Sequence, residues 1–208
     1  KIVRIERGVS SGQILHGLFA NCTSLAYVGL QNFNTANANN MSSMFEGCSS
    51  LVYIDVTKLD TSKVERMDSM FKGCTTLQNL DIKGISTASV ENTQSMFEGC
   101  AALTELDIAG IDITGVVDMQ SMFAGCSSLR ELNLAGLTTP ALTNVQSMFA
   151  GCAALTSLDL SGFDMRSVTA AKDMFSGCGS LVTLKLPALG MKDVTDMSGV
   201  FSGCAALE

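Results

Sequence analysis

The sequence MQSMFAGCSSLRELNL, from Met119 to Leu134, decides the fold of this chain, because near-copies of it return every 26 residues. The repeat has no insertions or deletions, and eight copies account for all 208 residues. Each copy holds a cysteine, preceded three positions earlier by a phenylalanine. The cysteines are Cys22, Cys48, Cys74, Cys100, Cys126, Cys152, Cys178 and Cys204. A fixed period of this length is typical of a solenoid, in which each unit packs only against its neighbours.

Each unit contains two predicted elements. The L-x-x-L-D-L portion alternates apolar and polar positions, as in Leu103, Leu106 and Ile108, which predicts a strand with one buried face. The M-x-S-M-F-x-G portion predicts a helix of about two turns, because methionines such as Met41 and Met44 would share one helical face. An Asn or Asp before the first methionine suits a helix N-cap, and the glycine suits the helix end. We therefore predict a single-domain α/β repeat solenoid, with one parallel sheet face and short helices on the opposite face.

The two ends of the chain differ from the regular units. Val3 and Ile5 alternate with charged residues, so residues 1–24 are predicted to form a cap-like first unit whose strand is slipped by one position. The chain stops at Glu208, where another strand would begin, without a polar closing repeat. We expect this end to be uncapped, so that the natural protein is longer or this end docks on another surface.

Composition excludes several classes of function. The net charge of −7 argues against binding to nucleic acid or to anionic lipid. No apolar run approaches the roughly 18 residues of a membrane span. The chain has one histidine, no phosphate-binding glycine loop and no nucleophile elbow, and its loops keep one length. We therefore predict a non-enzymatic protein without catalytic residues, cofactors or bound metal, and not inserted in a membrane.

The cysteine, methionine and serine columns are interpreted as structural. Neighbouring cysteines would lie about 4.8 Å apart with parallel side chains, whereas disulfides need Cβ atoms nearer about 3.8 Å. Buried free thiols are therefore favoured over disulfides or metal ligands. The methionines are assigned to the core in preference to a soft-metal surface. The serines, such as Ser43, are expected to make hydrogen bonds within the helix turn.

The candidate binding site is the exposed side of the strands, which combines aromatic and acidic side chains. Its residues are Tyr27, Tyr53, Asp55, Asp81, Glu105, Asp107, Glu131, Asn133 and Asp159. One interpretation is a docking face for a basic, extended partner surface, with the two tyrosines as anchors. A second is that the acidic side chains only solubilise the face and make hydrogen bonds to neighbouring Thr, Ser or Asn. A third is calcium binding, since Ca²⁺ takes several carboxylate oxygens.

The unit F-x-G-C-x-x-L-x-x-L-D-L, preceded by V-x-x-M-x-S-M-F, resembles the BspA-like (DUF285) leucine-rich repeat of bacterial surface proteins. The resemblance is close from Leu25 to Leu207 and loose before that. It implies a leucine-rich-repeat solenoid, an extracellular or cell-surface location, and a role in adhesion or protein binding, with no catalytic residues. The expected partner is a protein, such as a host or neighbouring-cell surface protein, and end-to-end self-association is a further option. The alternative function is a structural stalk that projects another domain and binds nothing on its sheet.

Overall fold

The computed structural model describes residues 1–5, 9–10, 12–187 and 190–207, and each 26-residue unit forms one coil of a parallel solenoid. Glu6, which belongs to the predicted first-strand pattern, and Glu208 lie outside the described residues. The described part contains ten short strands and no helix. The strands are β1 (Ile2–Arg4), β2 (Val9–Ser10), β3 (Tyr27–Gly29), β4 (Phe33–Asn34), β5 (Tyr53–Asp55), β6 (Asn79–Asp81), β7 (Glu105–Asp107), β8 (Glu131–Asn133), β9 (Ser157–Asp159) and β10 (Thr183–Lys185).

One strand of each coil contributes to a common surface, which we call the sheet face. The strands pair in parallel as β1–β3, β5–β6, β7–β8 and β9–β10, with β2–β4 as a separate small pair. The predicted alternation is confirmed, since Leu106 is buried while Glu105 before it is exposed. The predicted slip of the first strand is also confirmed. Val3 pairs with Val28, which is 25 residues away and not 26.

The predicted short helices are wrong. The M-x-S-M-F-x-G segments are runs of turns, and we call the surface that they form the turn side. Within a segment, some N–H groups donate to the carbonyl three residues back, as Met44 does to Met41 at 3.3 Å. The alternate N–H groups donate to the next coil, as Phe45 does to Met70 at 2.9 Å. Because half of the N–H groups leave the segment in this way, an α-helical hydrogen-bond pattern cannot form.

Backbone conformation explains the serine and glycine positions of these turns. Ser43 has φ of 54° and Gly47 has φ of 70°, both in the left-handed region that a right-handed helix excludes. The same conformation recurs at the equivalent serines Ser69, Ser95, Ser121 and Ser147. The expectation that serine serves the hydrogen bonding of a helix turn is therefore wrong. Serine occupies a left-handed position, where its lack of β-branching lowers the steric cost.

The Asn or Asp before the turn segment, which was predicted to be a helix N-cap, accepts a backbone hydrogen bond as an N-cap would. The side-chain Oδ1 of Asn40 accepts a hydrogen bond from the N–H of Ser42 at 2.9 Å. Asn92, Asp118, Asn144 and Asp196 accept from the residue two positions on in the same way. These residues therefore cap turns, because an Asx turn and a helix N-cap use the same short side-chain acceptor.

The core consists of columns of identical residues that run along the solenoid. The Phe45 and Phe71 rings stack with centroids 5.7 Å apart. This pair is one of seven stacked pairs that run from Phe19 to Phe201. The methionines at the predicted core positions, such as Met41 and Met44, are buried, except that Met197 in the last coil is 49% exposed. The core assignment of the methionines is therefore confirmed in these coils.

The cysteine column is a row of free thiols, as predicted, and it is buried from Cys48 to Cys178, whereas Cys22 at one end is exposed. All eight cysteines lie in the described part of the chain and none forms a disulfide. The Cys74 thiol donates to the carbonyl of Phe45 at 3.2 Å, and the cysteines from Cys48 to Cys204 all make the equivalent bond. Burial raises the pKa of the Cys74 thiol to about 12, so it stays protonated and unreactive at neutral pH.

Candidate functional site

A groove of about 460 Å³ crosses the sheet face over strands β5 to β8. Its lining residues are Tyr53, Asn79, Leu80, Asp81, Lys83, Glu105, Leu106, Asp107, Glu131 and Asn133. The groove therefore brings together six of the nine residues predicted from the sequence. The other three, Tyr27, Asp55 and Asp159, lie on the sheet face outside the groove.

Parallel pairing in register places equivalent residues of successive coils side by side. Tyr53 is paired with Asn79 across β5 and β6, and Glu105 with Glu131 across β7 and β8. These residues form one exposed column along the sheet face. Asp107 and Asn133 are paired in the next column, two positions along each strand. The groove is therefore lined by two parallel columns of polar side chains above a row of leucines.

The floor of the groove lies at the junction between β6 and β7. Leu80 and Leu106 form this floor and are 8% and 2% exposed. β6 and β7 belong to different two-stranded pairs, so the strand ladder is interrupted between them. On the turn side of the same two coils the ladder is intact, since the N–H of Phe71 donates to the carbonyl of Met96 at 2.9 Å. The groove thus lies over one of the breaks in the sheet; the others are between β3 and β5 and between β8 and β9.

The carboxylates of the aspartate column are used by their own backbone. Oδ1 of Asp55 accepts hydrogen bonds from the Thr57 N–H at 3.0 Å and from its hydroxyl at 2.6 Å. The Thr57 hydroxyl is the main cause that lowers the pKa of Asp55. Asp81, Asp107, Asn133 and Asp159 accept from the N–H two residues on in the same way. The predicted bonding to neighbouring Thr and Ser is therefore confirmed at Asp55 and Asp159, where it closes an Asx turn after the strand.

Two lysines neutralise part of the sheet face. Lys83 Nζ lies 2.7 Å from Asp107 and lowers the pKa of that carboxyl, while Asp107 raises the pKa of Lys83. Lys185 Nζ lies 2.9 Å from Asp159. The pKa of Asp159 falls well below its usual range, because the Ser161 hydroxyl and then the Lys185 ammonium stabilise the carboxylate. Each lysine therefore reduces the charge that the aspartate column presents to solvent.

The predicted binding residues did not include Lys83 and Asn79, although both line the groove. Asn79 occupies the same column as Tyr53 and Glu105, so column position alone could have identified it. Lys83 lies two residues after Asp81, on the turn that follows the strand. Its reach across to Asp107 depends on the coil-to-coil spacing, which a single repeat does not reveal.

The glutamates of the groove differ from the aspartates. Glu105 and Glu131 are exposed, and their carboxylates make no hydrogen bond or ion pair with any residue that the structure describes. Tyr53, in the same column, is 45% exposed. The groove therefore offers an aromatic ring at one end and two exposed carboxylates at the other.

The acidic side chains of the described ranges do not come together as a metal site would require. No group of three or more His, Cys, Asp or Glu side chains among these residues could hold a metal ion. The calcium interpretation of the aspartate column thus has no structural counterpart in the described part of the chain. Within the same residues, no helix is long and apolar enough to cross a membrane.

A family model described as "Mycoplasma protein of unknown function, DUF285" matches residues 13–131 and 102–208 of this chain. A leucine-rich repeat protein from Bacteroides ovatus shares 24% identity, with 99% of this chain and 59% of that chain covered and a TM-score of 0.49. This chain thus spans less than two thirds of that protein.

Two further solved structures are similar at lower identity. A leucine-rich repeat protein from T. pallidum shares 21% identity over 100% of this chain and 78% of that chain, with a TM-score of 0.46. A leucine rich cell surface protein from Faecalibacterium prausnitzii shares 18% identity over 93% of this chain and 67% of that chain, with a TM-score of 0.44. No curated protein matches the sequence. Since the family model matches most of its length, this chain belongs to the DUF285 family, the BspA-like leucine-rich-repeat family that its 26-residue unit resembles.

Proposed function

We propose that this chain is a protein-binding or adhesion module of a secreted or surface-displayed protein, and that it holds its partner on the sheet face. The observation that carries this proposal is the groove of about 460 Å³ across β5 to β8. Concave surfaces built by several repeats are the surfaces with which solenoid proteins usually bind their partners. The extracellular location rests on family membership, because the resemblance to BspA-like repeats implies surface display.

The charge of the groove supports a basic partner. Four carboxylates line it, those of Asp81, Glu105, Asp107 and Glu131, against the single ammonium of Lys83. A surface of this charge attracts a cationic partner and repels an anionic one such as nucleic acid. The partner we propose is therefore a protein with a basic surface segment, on a host cell or a neighbouring cell.

A structural stalk is the second candidate function, and the Asx turns favour it. Each aspartate of the sheet face already closes a turn after its own strand, as Asp81 does for the N–H of Lys83 at 2.9 Å. The aspartate column can therefore be explained by folding alone, without a ligand. In this alternative the coils only set the distance between other parts of a longer protein.

A charge-removal experiment separates the two functions. Asp81→Asn, Asp107→Asn and Asp159→Asn are combined in one variant, and its capture of surface proteins is compared with that of the wild-type chain. The substitutions preserve the turns, because Asn133 already makes the same turn with an amide oxygen at 3.1 Å. We expect capture of basic proteins to fall strongly with the variant. Unchanged capture would favour the stalk.

A matched control is available in the same chain. Asp60, Asp112 and Asp164 close Asx turns at another corner of the coil, at 3.0, 3.0 and 3.1 Å. Their combined change to Asn removes the same number of charges and likewise preserves Asx turns, but it leaves the residues that line the groove unaltered. Capture by this control variant is expected to equal that of the wild-type chain. An equal loss in both variants would mean that net charge matters and the groove does not.

A further inference from the structure

Glu105 and Glu131 form a like-charged pair that the fold itself does not explain. They are direct partners in the parallel register of β7 and β8, and adjacent strands lie about 4.8 Å apart. Like charges opposite each other on neighbouring strands are destabilising. No cation among the described residues pairs with either carboxylate, whereas Lys83 pairs with Asp107 and Lys185 with Asp159.

The glutamate side chains also have no role in a turn. Each aspartate of the sheet face accepts hydrogen bonds from its own backbone, as Asp159 does from Ser161 at 3.0 Å. Glu105 and Glu131 lie two positions earlier on their strands, are exposed and line the groove. Two exposed carboxylates side by side in a groove match the donor arrangement of a guanidinium group, whose planar fork presents several N–H donors in fixed directions.

The other end of the same column is aromatic. Tyr53 is 45% exposed and lines the groove two coils before Glu105. With about 4.8 Å per coil, the middle of the glutamate pair lies about 12 Å from Tyr53 along the solenoid axis. In an extended peptide, side chains four residues apart point to the same face and are separated by about 13 Å. The spacing of the column thus agrees with a four-residue spacing in a bound extended segment.

We propose that the groove binds an extended segment of a basic partner protein that places an apolar side chain on Tyr53 and an arginine, four residues away, between Glu105 and Glu131. This inference rests on the proposed function and names the chemistry of its partner. It assigns recognition to Tyr53, Glu105 and Glu131, while the aspartates contribute turns and general negative charge. Tyr27 and Asp159, which lie outside the groove, take no part in it.

The test uses fluorescein-labelled seven-residue peptides and fluorescence anisotropy at low ionic strength. One probe carries leucine at position 2 and arginine at position 6, and a second probe carries them in the reverse order. Threonine fills all remaining positions of both probes. The better probe is expected to bind saturably to the wild-type chain. Moving its arginine one position nearer to the leucine turns that side chain to the opposite face. This shift is expected to weaken binding about tenfold or more, as expected for the loss of charge-assisted hydrogen bonds.

The decisive protein variant combines Glu105→Gln with Glu131→Gln. This variant is expected to bind the better probe about tenfold or more weakly than the wild-type chain does. Its control is Glu65→Gln with Glu91→Gln. That pair is also exposed and one coil apart, with the Glu91 N–H donating to the Glu65 carbonyl at 3.0 Å, but it lies outside the groove. The control variant is expected to bind as the wild-type chain does. Circular dichroism of both variants establishes that they are folded.

Two results overturn the inference: neither probe binds saturably, or both glutamine variants bind the probe equally well. These results are separable from failure of the proposed function. Capture of surface proteins that still depends on Asp81 and Asp107, without binding of either probe, would leave a protein-binding sheet face with a different partner chemistry. If capture does not depend on Asp81 and Asp107 and neither probe binds, both the proposed function and this inference are contradicted.

Discussion

The turn side and the sheet face of the same coils are held together differently. On the turn side, one hydrogen bond from the phenylalanine N–H crosses every junction between coils, from Phe19 to Phe175, at 2.9 to 3.0 Å. On the sheet face the strands join only in pairs, and the ladder is interrupted between β6 and β7. The turn side also carries the phenylalanine stack and the buried cysteines. The sheet face carries the groove and the exposed acidic residues.

This difference separates the side that stabilises the repeat from the face that we propose binds a partner. A continuous ladder with a close-packed core resists local opening, because every coil is bonded to both of its neighbours. An interrupted ladder with exposed side chains leaves room for a ligand. The chain therefore has a rigid side that maintains the spacing of the coils and a more open face on which side chains vary from coil to coil.

The largest expected effect is on the rigid side. Phe97 is fully buried between Phe71 and Phe123, with ring centroids 5.9 and 5.6 Å away. Phe97→Ala should lower the free energy of unfolding by about 3–5 kcal/mol, because it leaves a cavity in the middle of the ring stack. Urea denaturation followed by circular dichroism measures this loss. A loss below about 1 kcal/mol would mean that the turn side is loosely packed.

The second prediction distinguishes the turn conformation from a helix. Ser121 has φ of 55°, so Ser121→Val should cost about 1–2 kcal/mol, while Ser121→Gly should be neutral or slightly stabilising. In a helix, glycine would be destabilising by up to about 1 kcal/mol. The order of the two variants in thermal or urea unfolding therefore decides between the two conformations. A less stable glycine variant would support the helix.

The third prediction concerns the coils on either side of the interrupted ladder. Thr87 is buried, and its hydroxyl has no hydrogen-bond partner among the described residues, whereas the Thr61 hydroxyl donates to the carbonyl of Ser86 at 2.8 Å. Thr87 also lines a small internal void of about 10 Å³. Thr87→Val should raise the free energy of unfolding by about 1 kcal/mol, because it removes an unsatisfied buried polar group. Thr61→Val is expected to lower it by about 1 kcal/mol. Equal effects in urea unfolding would argue against a looser packing at this junction.

The smallest effect is a dependence of stability on pH. Hydrogen bonds from Thr57, Lys83 and Ser161 lower the pKa of Asp55, Asp107 and Asp159 in the folded chain relative to the ordinary value of 3.8. A carboxyl whose pKa is lowered by folding contributes stability above its unfolded pKa and loses it as the pH falls toward the folded value.

We therefore expect a constant urea midpoint from pH 7 to about pH 5 and a gradual fall below about pH 4. Asp→Asn variants of the sheet face should show a shallower fall, because Asn keeps the Asx turn but does not titrate. The same fall in the wild-type chain and the variants would place the responsible carboxyls elsewhere.

Much of the candidate site could be predicted from columns alone. Tyr53, Glu105 and Glu131 were found because each occupies an outward position of a strand whose inward neighbours are apolar. Asp55 and Asp159 were assigned to the same site by the same reasoning, but they lie outside the groove. Column position identifies which side chains are exposed, but not how far along the solenoid a concave surface extends.

The amino-acid sequence by itself determined the period, the parallel stacking of the coils and the assignment of each column to the core or the surface. These follow from local patterns, because a strict 26-residue repeat aligns equivalent residues whatever their exact backbone. It could not decide between a helix and a turn after Asn40, since two methionines three apart suit both. That choice depends on N–H groups such as that of Phe45, which donates to Met70 of the next coil.

Only the tertiary structure decided which exposed carboxylates remain available to a ligand. Asp107 and Glu105 look alike in the sequence, since both are acidic and both face outward. In the folded chain, Asp107 accepts from the N–H of Ala109 and pairs with the ammonium of Lys83, whereas Glu105 lies beside Glu131 with no donor among the described residues. The physical reason is distance between coils. Side chains that are 24 to 26 residues apart in the chain, such as Lys83 and Asp107, become neighbours only when the coils stack.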